Sequence, residues 1–284
     1  FRTMVDSGIF VRSLQVRIRG RVTSIQSFAV GGVVTGVGLV SAKILGLGGR
    51  QGFMVCFALA TALTVGGALS IWKLSELPEL TMPGRVGSAS PLRAILHVLK
   101  LSKFRVLIAP NLLRGLVHSV GYFLVAIGKK QVGLPGTYAG YLLTVTSVAG
   151  VAGAAGIGWF VDRWGPGVVV MVGNALAAGG VLWMILVQSP DEFLAASGIF
   201  LLGSTLMADG VPLGIFEVAP PEAVGAFNGA RLMLMSGASA GSALILGYLL
   251  DSVGIAFVLG AAAVIHLLTG ALFWHGFRQK GATR

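Results

Sequence analysis

Asn111, Arg114 and His118 follow one another at intervals of three and four residues in the stretch APNLLRGLVHSV, so on a helix they share one face. An amide, a guanidinium and an imidazole on one face of an otherwise apolar segment can hold a polar or anionic solute. A carboxylate, Asp209, stands in another apolar stretch just before Gly210 and Pro212. It can pair with Arg114 or take part in moving protons, and a purely structural ion pair with Arg114 is the competing reading. His266 and Asn174, also in apolar runs, read as packed polar side chains, with Thr269 close to the histidine. Glu217 and Glu222 fall where an apolar run ends and solvent suffices for them. The single cysteine, Cys56, excludes an internal disulfide and a cysteine metal cluster, and no cofactor is expected.

The elements that must position these groups follow from composition. The chain has 284 residues, 55% hydrophobic and 11% charged, whereas a soluble domain carries about 25% charged residues. Lipid is therefore the expected solvent. Runs of about 20 apolar residues suffice to cross roughly 30 Å of hydrocarbon. Eight such runs occur, at 22–45, 51–73, 104–128, 136–161, 167–188, 192–216, 228–250 and 255–277. The expected fold is an all-α, polytopic helical bundle. The breaks GLGGRQ, KKQVGLPGT, DRWGPG, SPDE, APPEAVGAFNG and DSVG are short and rich in turn formers, so successive spans run antiparallel.

Net charge +11 would point to nucleic acid in a soluble protein. Here most of the 21 Lys and Arg residues fall on one side of the spans, among them Arg19, Arg21, Arg93, Lys100, Arg163 and Arg231. That bias places this side and both termini in the cytoplasm of a bacterial-type inner or plasma membrane, and it leaves no need for a nucleic-acid partner. One connection is long. It opens with SELPELTMPGRVGSAS and continues as PLRAILHVLK, in which Leu92, Ile95, Leu96 and Leu99 share a helical face opposite Arg93, His97 and Lys100. The spacing predicts a short helix lying on the cytoplasmic leaflet. The chain thus divides into 1–73 with two spans, a linker at 74–103, and 104–284 with six.

The turn after the fourth span reads Gly158-x-x-x-Asp162-Arg163-x-Gly165, followed by Pro166 and Gly167. It resembles the G-x-x-x-D-R-x-G loop of the major facilitator superfamily, in which two six-helix halves are joined by a long cytoplasmic linker and each half carries the loop between its second and third helices. Here the loop follows the second span after the linker. The resemblance implies a complete second half from 104 onward, preceded by the last two helices of a first half, with four helices missing. The usual pair of basic residues after the loop is replaced by Pro166 and Gly167. The resemblance also implies a latch between Asp162 and Arg19 or Arg21, and a mirror-image role for Arg231 toward a loop in the other half. It makes the third and sixth spans cavity-lining helices, so that Asn111, Arg114, His118 and Asp209 would line the path of a small solute. The function implied is secondary transport by alternating access, with proton-linked export as one form of it, and the partners are that solute, protons and the bilayer. The alternatives are a non-transporting membrane scaffold or assembly protein, and an intramembrane serine hydrolase. The last rests on Gly237-Ala-Ser239-Ala-Gly241, a G-x-S-x-G pattern with His266 one span later. That pattern denotes a strand-to-helix turn, and Gly237 with Gly241, like Gly32 with Gly36, equally suits close helix packing.

Overall fold

The computed structural model describes residues 32, 36–37, 39–41, 43–44, 49–72, 91–220 and 223–278. Most of the first expected span, Arg19, Arg21, Glu222 and the linker before residue 91 lie outside the described residues. Helix α1 is Gly49–Trp72, where a span was expected at 51–73. The remaining elements are α2 (Pro91–Lys100), α3 (Ser102–His118), a 3-10 turn (Ser119–Phe123), α4 (Leu124–Val132), α5 (Tyr138–Trp164), α6 (Pro166–Leu186), α7 (Pro190–Val218), α8 (Val224–Ser252) and α9 (Ile255–Arg278). Among the described residues six stretches are long and apolar enough to cross a membrane, beginning with Phe104–Val132 and ending with Ile255–Phe277. The protein is an integral membrane protein whose described part is an all-helical bundle.

The first of these six crossings differs from the unbroken helix that its sequence predicts. It consists of α3, the 3-10 turn and α4 in series. Gly121 lies within the turn, and the Ser119 hydroxyl donates to the carbonyl of Leu116 at 2.8 Å, which competes with regular helical bonding. α6 packs along both α7 and α9, α5 packs on α7, and α3 packs on α8 and α9. Local chemistry sets the corners. Gly165 adopts φ 78°, closed to most side chains, while Pro166 opens α6. Ser189 caps α7 by accepting from the Glu192 amide at 3.3 Å, and the Glu192 carboxylate accepts from the Gln188 amide at 2.8 Å. At that end of the bundle Lys130 pairs with Asp251, tying α4 to α8.

Apolar side chains gather in two main clusters. One, near the α2 end, contains Val98, Phe104, Leu107, Val211 and Phe227. The other, toward the opposite end, contains Val117, Ile127, Met184, Phe193 and Phe200. α2 belongs to the first cluster. The short helix expected from the sequence is present, and it packs on α8 and α3 with Val98 buried and Leu99 partly buried, while Leu96 is exposed. A protein surface formed by Phe104, Leu107 and Phe227 lies one residue away, because only Leu101 separates α2 from α3. Val98→Asp places a carboxylate in that cluster, at about 2–3 kcal/mol. The expected result is roughly hundredfold faster amide exchange in residues 91–100 with α6 unaffected; unchanged exchange would show that α2 is not held there.

Candidate functional site

Between the two clusters lies a layer of polar side chains. On α3, Leu107 belongs to one cluster and Val117 to the other, and Asn111 and Arg114 stand between them. On α7, Asp209 falls between Met207 and Val211. On α6, Asn174 falls between Val170 and Ala177, and on α9, His266 and Thr269 fall between Ala263 and Phe273. Four helices thus contribute polar groups at one depth, where each such group costs free energy unless it is satisfied.

The individual partners are specific. The Asn111 side chain is fully buried, and its amide donates to the Leu107 carbonyl at 2.6 Å while Oδ1 has no partner among the described residues. Arg114 is 5% exposed, its Nη1 has no partner among the described residues, and Asp209 lies within coulombic range of it. Asp209 itself is half-buried. The third member of the trio, His118, is exposed and packs edge-on against Tyr122 at 5.4 Å, at the start of the helix break. One helical face therefore runs from a buried amide through a buried guanidinium to an open imidazole. Prolines loosen both helices at this level. Pro110 in α3 and Pro212 in α7 supply no amide to the carbonyls of Val106 and Ala208, which leaves backbone dipoles near Asn111 and Asp209.

Asn174 and His266 meet across α6 and α9, Nδ1 to Oδ1 at 3.3 Å, and the Asn174 amide donates to the Val170 carbonyl at 2.9 Å. His266 Nε2 has no partner among the described residues, and the ring stands edge-on to Phe200 at 5.9 Å. Ser239 sits in the middle of α8, an uninterrupted helix, rather than on the strand-to-helix elbow that its flanking glycines would denote in a hydrolase. Its carbonyl accepts from the Ser242 hydroxyl at 3.0 Å, and Ser242 meets Ser119 at 2.9 Å. Among the described residues nothing lies within 4 Å of where a Cβ on Gly237, Gly241, Gly32 or Gly36 would stand, so neither pair makes the close helix crossing that its spacing allows.

At the loop, Gly158 is buried, and Gly165 turns the chain and donates its amide to the Val161 carbonyl at 2.8 Å. Asp162 and Arg163 are exposed, and the Arg163 guanidinium lies 5.3 Å from the centre of the Trp159 ring. Trp159 and Trp164 are exposed beside it, an aromatic belt of the kind found where a helix leaves the bilayer. Arg231 is not at that surface. It is 4% exposed, its Nε donates to Asn228 Oδ1 at 2.9 Å, and Arg114 is within coulombic range. The sequence marked its position near the start of a span but carried no signal that it turns inward.

The solved structures that share this architecture include two that cover most of this chain. One is a major facilitator superfamily transporter, FucP, in its outward conformation, with TM-score 0.57 and 14% identity over 80% of this chain and 54% of that one. The other is a variant of the fucose:proton symporter FucP of E. coli, with TM-score 0.65 and 14% identity over 97% of this chain and 72% of that one. The chain spans about half the length of the first. No family model matches the chain, and no curated protein matches it. The fold is that of the major facilitator transporters.

Proposed function

We propose that this chain is part of a secondary transporter that carries a small solute by alternating access, and that the polar layer centred on Arg114 lines the solute's path. The observation that carries the reading is the placement of Asn111, Arg114 and His118 immediately before the break in their membrane-crossing helix. Broken helices at bilayer depth are tolerated where they line a cavity, and solute sites near the midplane use them. The fold supports the same reading, since one of the solved structures it resembles is a fucose:proton symporter. Residues 1–73 and 104–284 would then belong to two bundles joined by the linker 74–103, rocking about a site between them. Asp209 is the carboxylate through which proton coupling would run, and the gradient sets the direction, export included. With the basic side facing the cytoplasm, Asp162 stands exposed where Arg19 or Arg21 of the first bundle could latch onto it.

The reading requires water at His118. With Cys56→Ser as background, a cysteine introduced by His118→Cys is expected to react with a membrane-impermeant, charged thiol reagent at a rate within about tenfold of a loop cysteine, whereas Leu244→Cys, on the exposed apolar face of α8, should resist. An unreactive cysteine at position 118 would mean that this face meets lipid, and the transport path would not run there.

A further inference from the structure

Among the described residues the fully buried charged groups are Arg114 and Arg231, and no carboxylate is buried with them. Two buried guanidiniums close together are costly, because each loses hydration and each repels the other. Helix packing fixes them close together. α3 and α8 run side by side in the same direction, from the edge-on contact of Phe104 with Phe227, centroids 5.2 Å apart, to the site where Gly115 abuts Met235 and Ala238. At 1.5 Å of rise per residue, Arg231 stands about 6 Å beyond Phe227, and Asn111 and Arg114 stand about 10 and 15 Å beyond Phe104. Two arginine side chains are long enough to span the remaining gap, in keeping with the coulombic interaction between them.

The unsatisfied atoms show what is missing. Among the described residues Arg114 Nη1 is a buried donor with no acceptor, and Asn111 Oδ1, one turn away, is a buried acceptor with no donor. Arg231 is held in place through its Nε by Asn228. A ligand that satisfies this set must supply negative charge to the guanidiniums and, within a few ångströms, a hydrogen-bond donor to the amide oxygen. Asp209 offsets part of the positive charge from the half-exposed side, so one negative charge on the ligand suits the site better than two.

We infer that Asn111, Arg114 and Arg231 form the recognition site for a small organic monoanion bearing a hydroxyl beside its carboxylate, a 2-hydroxycarboxylate in chemical class. This inference rests on the transport reading above and assigns Arg231 to the solute rather than to a cytoplasmic gate. The carboxylate lies between the two guanidiniums, and the hydroxyl donates to Asn111 Oδ1. A neutral polyol satisfies the amide and leaves the charges unmet; a plain carboxylate does the reverse.

The test uses the full 284-residue chain in lipid nanodiscs, with glycolate, acetate and 1,2-ethanediol as probes of matched size and the thermal unfolding midpoint as readout. Glycolate is expected to raise the midpoint, acetate to bind about tenfold more weakly for want of one hydrogen bond to a buried acceptor, and ethanediol to have no effect. Arg231→Met removes the glycolate response, and Arg231→Lys retains part of it. Should Arg231→Met fail to fold, Asn111→Ala serves in its place, and the preference for glycolate over acetate should fall to about one. The inference is overturned if ethanediol stabilises as well as glycolate, if Arg231→Met responds like the original chain, or if no probe acts. The His118→Cys reactivity, measured in the same nanodiscs, separates the two failures: a reactive cysteine with no glycolate response removes only the anion site, and an unreactive one removes the path itself.

Discussion

Gly180→Val is expected to prevent the chain from being recovered as a folded, monodisperse protein in detergent, whereas the same change at the adjacent Gly179 is expected to leave yield and unfolding midpoint unchanged. A Cβ at Gly180 would lie 2.5 Å from the amide nitrogen of Phe200, 2.8 Å from the carbonyl oxygen of Ala196 and 2.9 Å from the Phe200 Cα. All three are backbone atoms of α7, so no side chain can swing aside. The crossing is close throughout, since a Cβ on Gly203 would in turn meet the Ala177 amide nitrogen at 2.5 Å. Without a hydrophobic drive between helices in lipid, such small-residue contacts carry much of the association. Overpacking that side chains can absorb costs about 1–3 kcal/mol. Here the helices must separate and the contacts of Phe193, Phe200 and Met184 open with them, so the cost should reach the ~4–5 kcal/mol that marks exceptional substitutions. That is a large share of a stability of about 5–15 kcal/mol. At Gly179 nothing among the described residues lies within 4 Å of where the added Cβ would stand. Size-exclusion profiles and thermal unfolding in one detergent decide the matter, and a Gly180→Val protein that purifies with an unaltered midpoint would show that α6 and α7 do not cross as described.

On the transport reading proposed above, Arg114→Met is expected to lower solute flux in cells by roughly a hundredfold while the protein still reaches the membrane in normal amount. Replacing a buried charge by an apolar side chain of similar length is often neutral or stabilising for the fold, so folding and function should part company here. The loss follows from removing charge-assisted hydrogen bonds to the solute, worth about 3 kcal/mol in total, or about two decades in affinity. Asp209→Asn alone should act in the other direction on stability, lowering the midpoint, because it leaves the Arg114 charge with less compensation. The double change Arg114→Met with Asp209→Asn discriminates between roles. If the two residues form only a structural ion pair, the neutral pair restores flux; if Arg114 contacts the solute, the midpoint recovers and flux does not. Flux at the original level in the double variant would remove Arg114 from the path.

From the order of residues it already follows that lipid is the solvent, where the helices from 104 onward run, and that a tight turn joins the helices around Gly165. These are one-dimensional properties. Hydropathy over about 20 residues sets a span, the i to i−4 hydrogen bond closes within the segment, and a positive φ at Gly165 depends on its immediate neighbours. The spacing of Asn111, Arg114 and His118 was legible for the same reason. Depth and facing were not, because they depend on which neighbour a helix meets and at what height. Nothing in the adjacent letters of Gly179 and Gly180 distinguishes them; only the approach of α7 does. Gly237 and Gly241 have the spacing of a crossing but face open space among the described residues, while Gly115, in no such pair, abuts α8. Arg231 looked like a surface charge until the parallel packing of α3 and α8 turned it inward beside Arg114. The break at Ser119–Phe123 arises where Ser119 meets Ser242, 123 residues away. Packing between helices is what sets polar groups from α3, α6, α7 and α9 at one depth, because each lies in its own apolar run and the bundle alone brings them level.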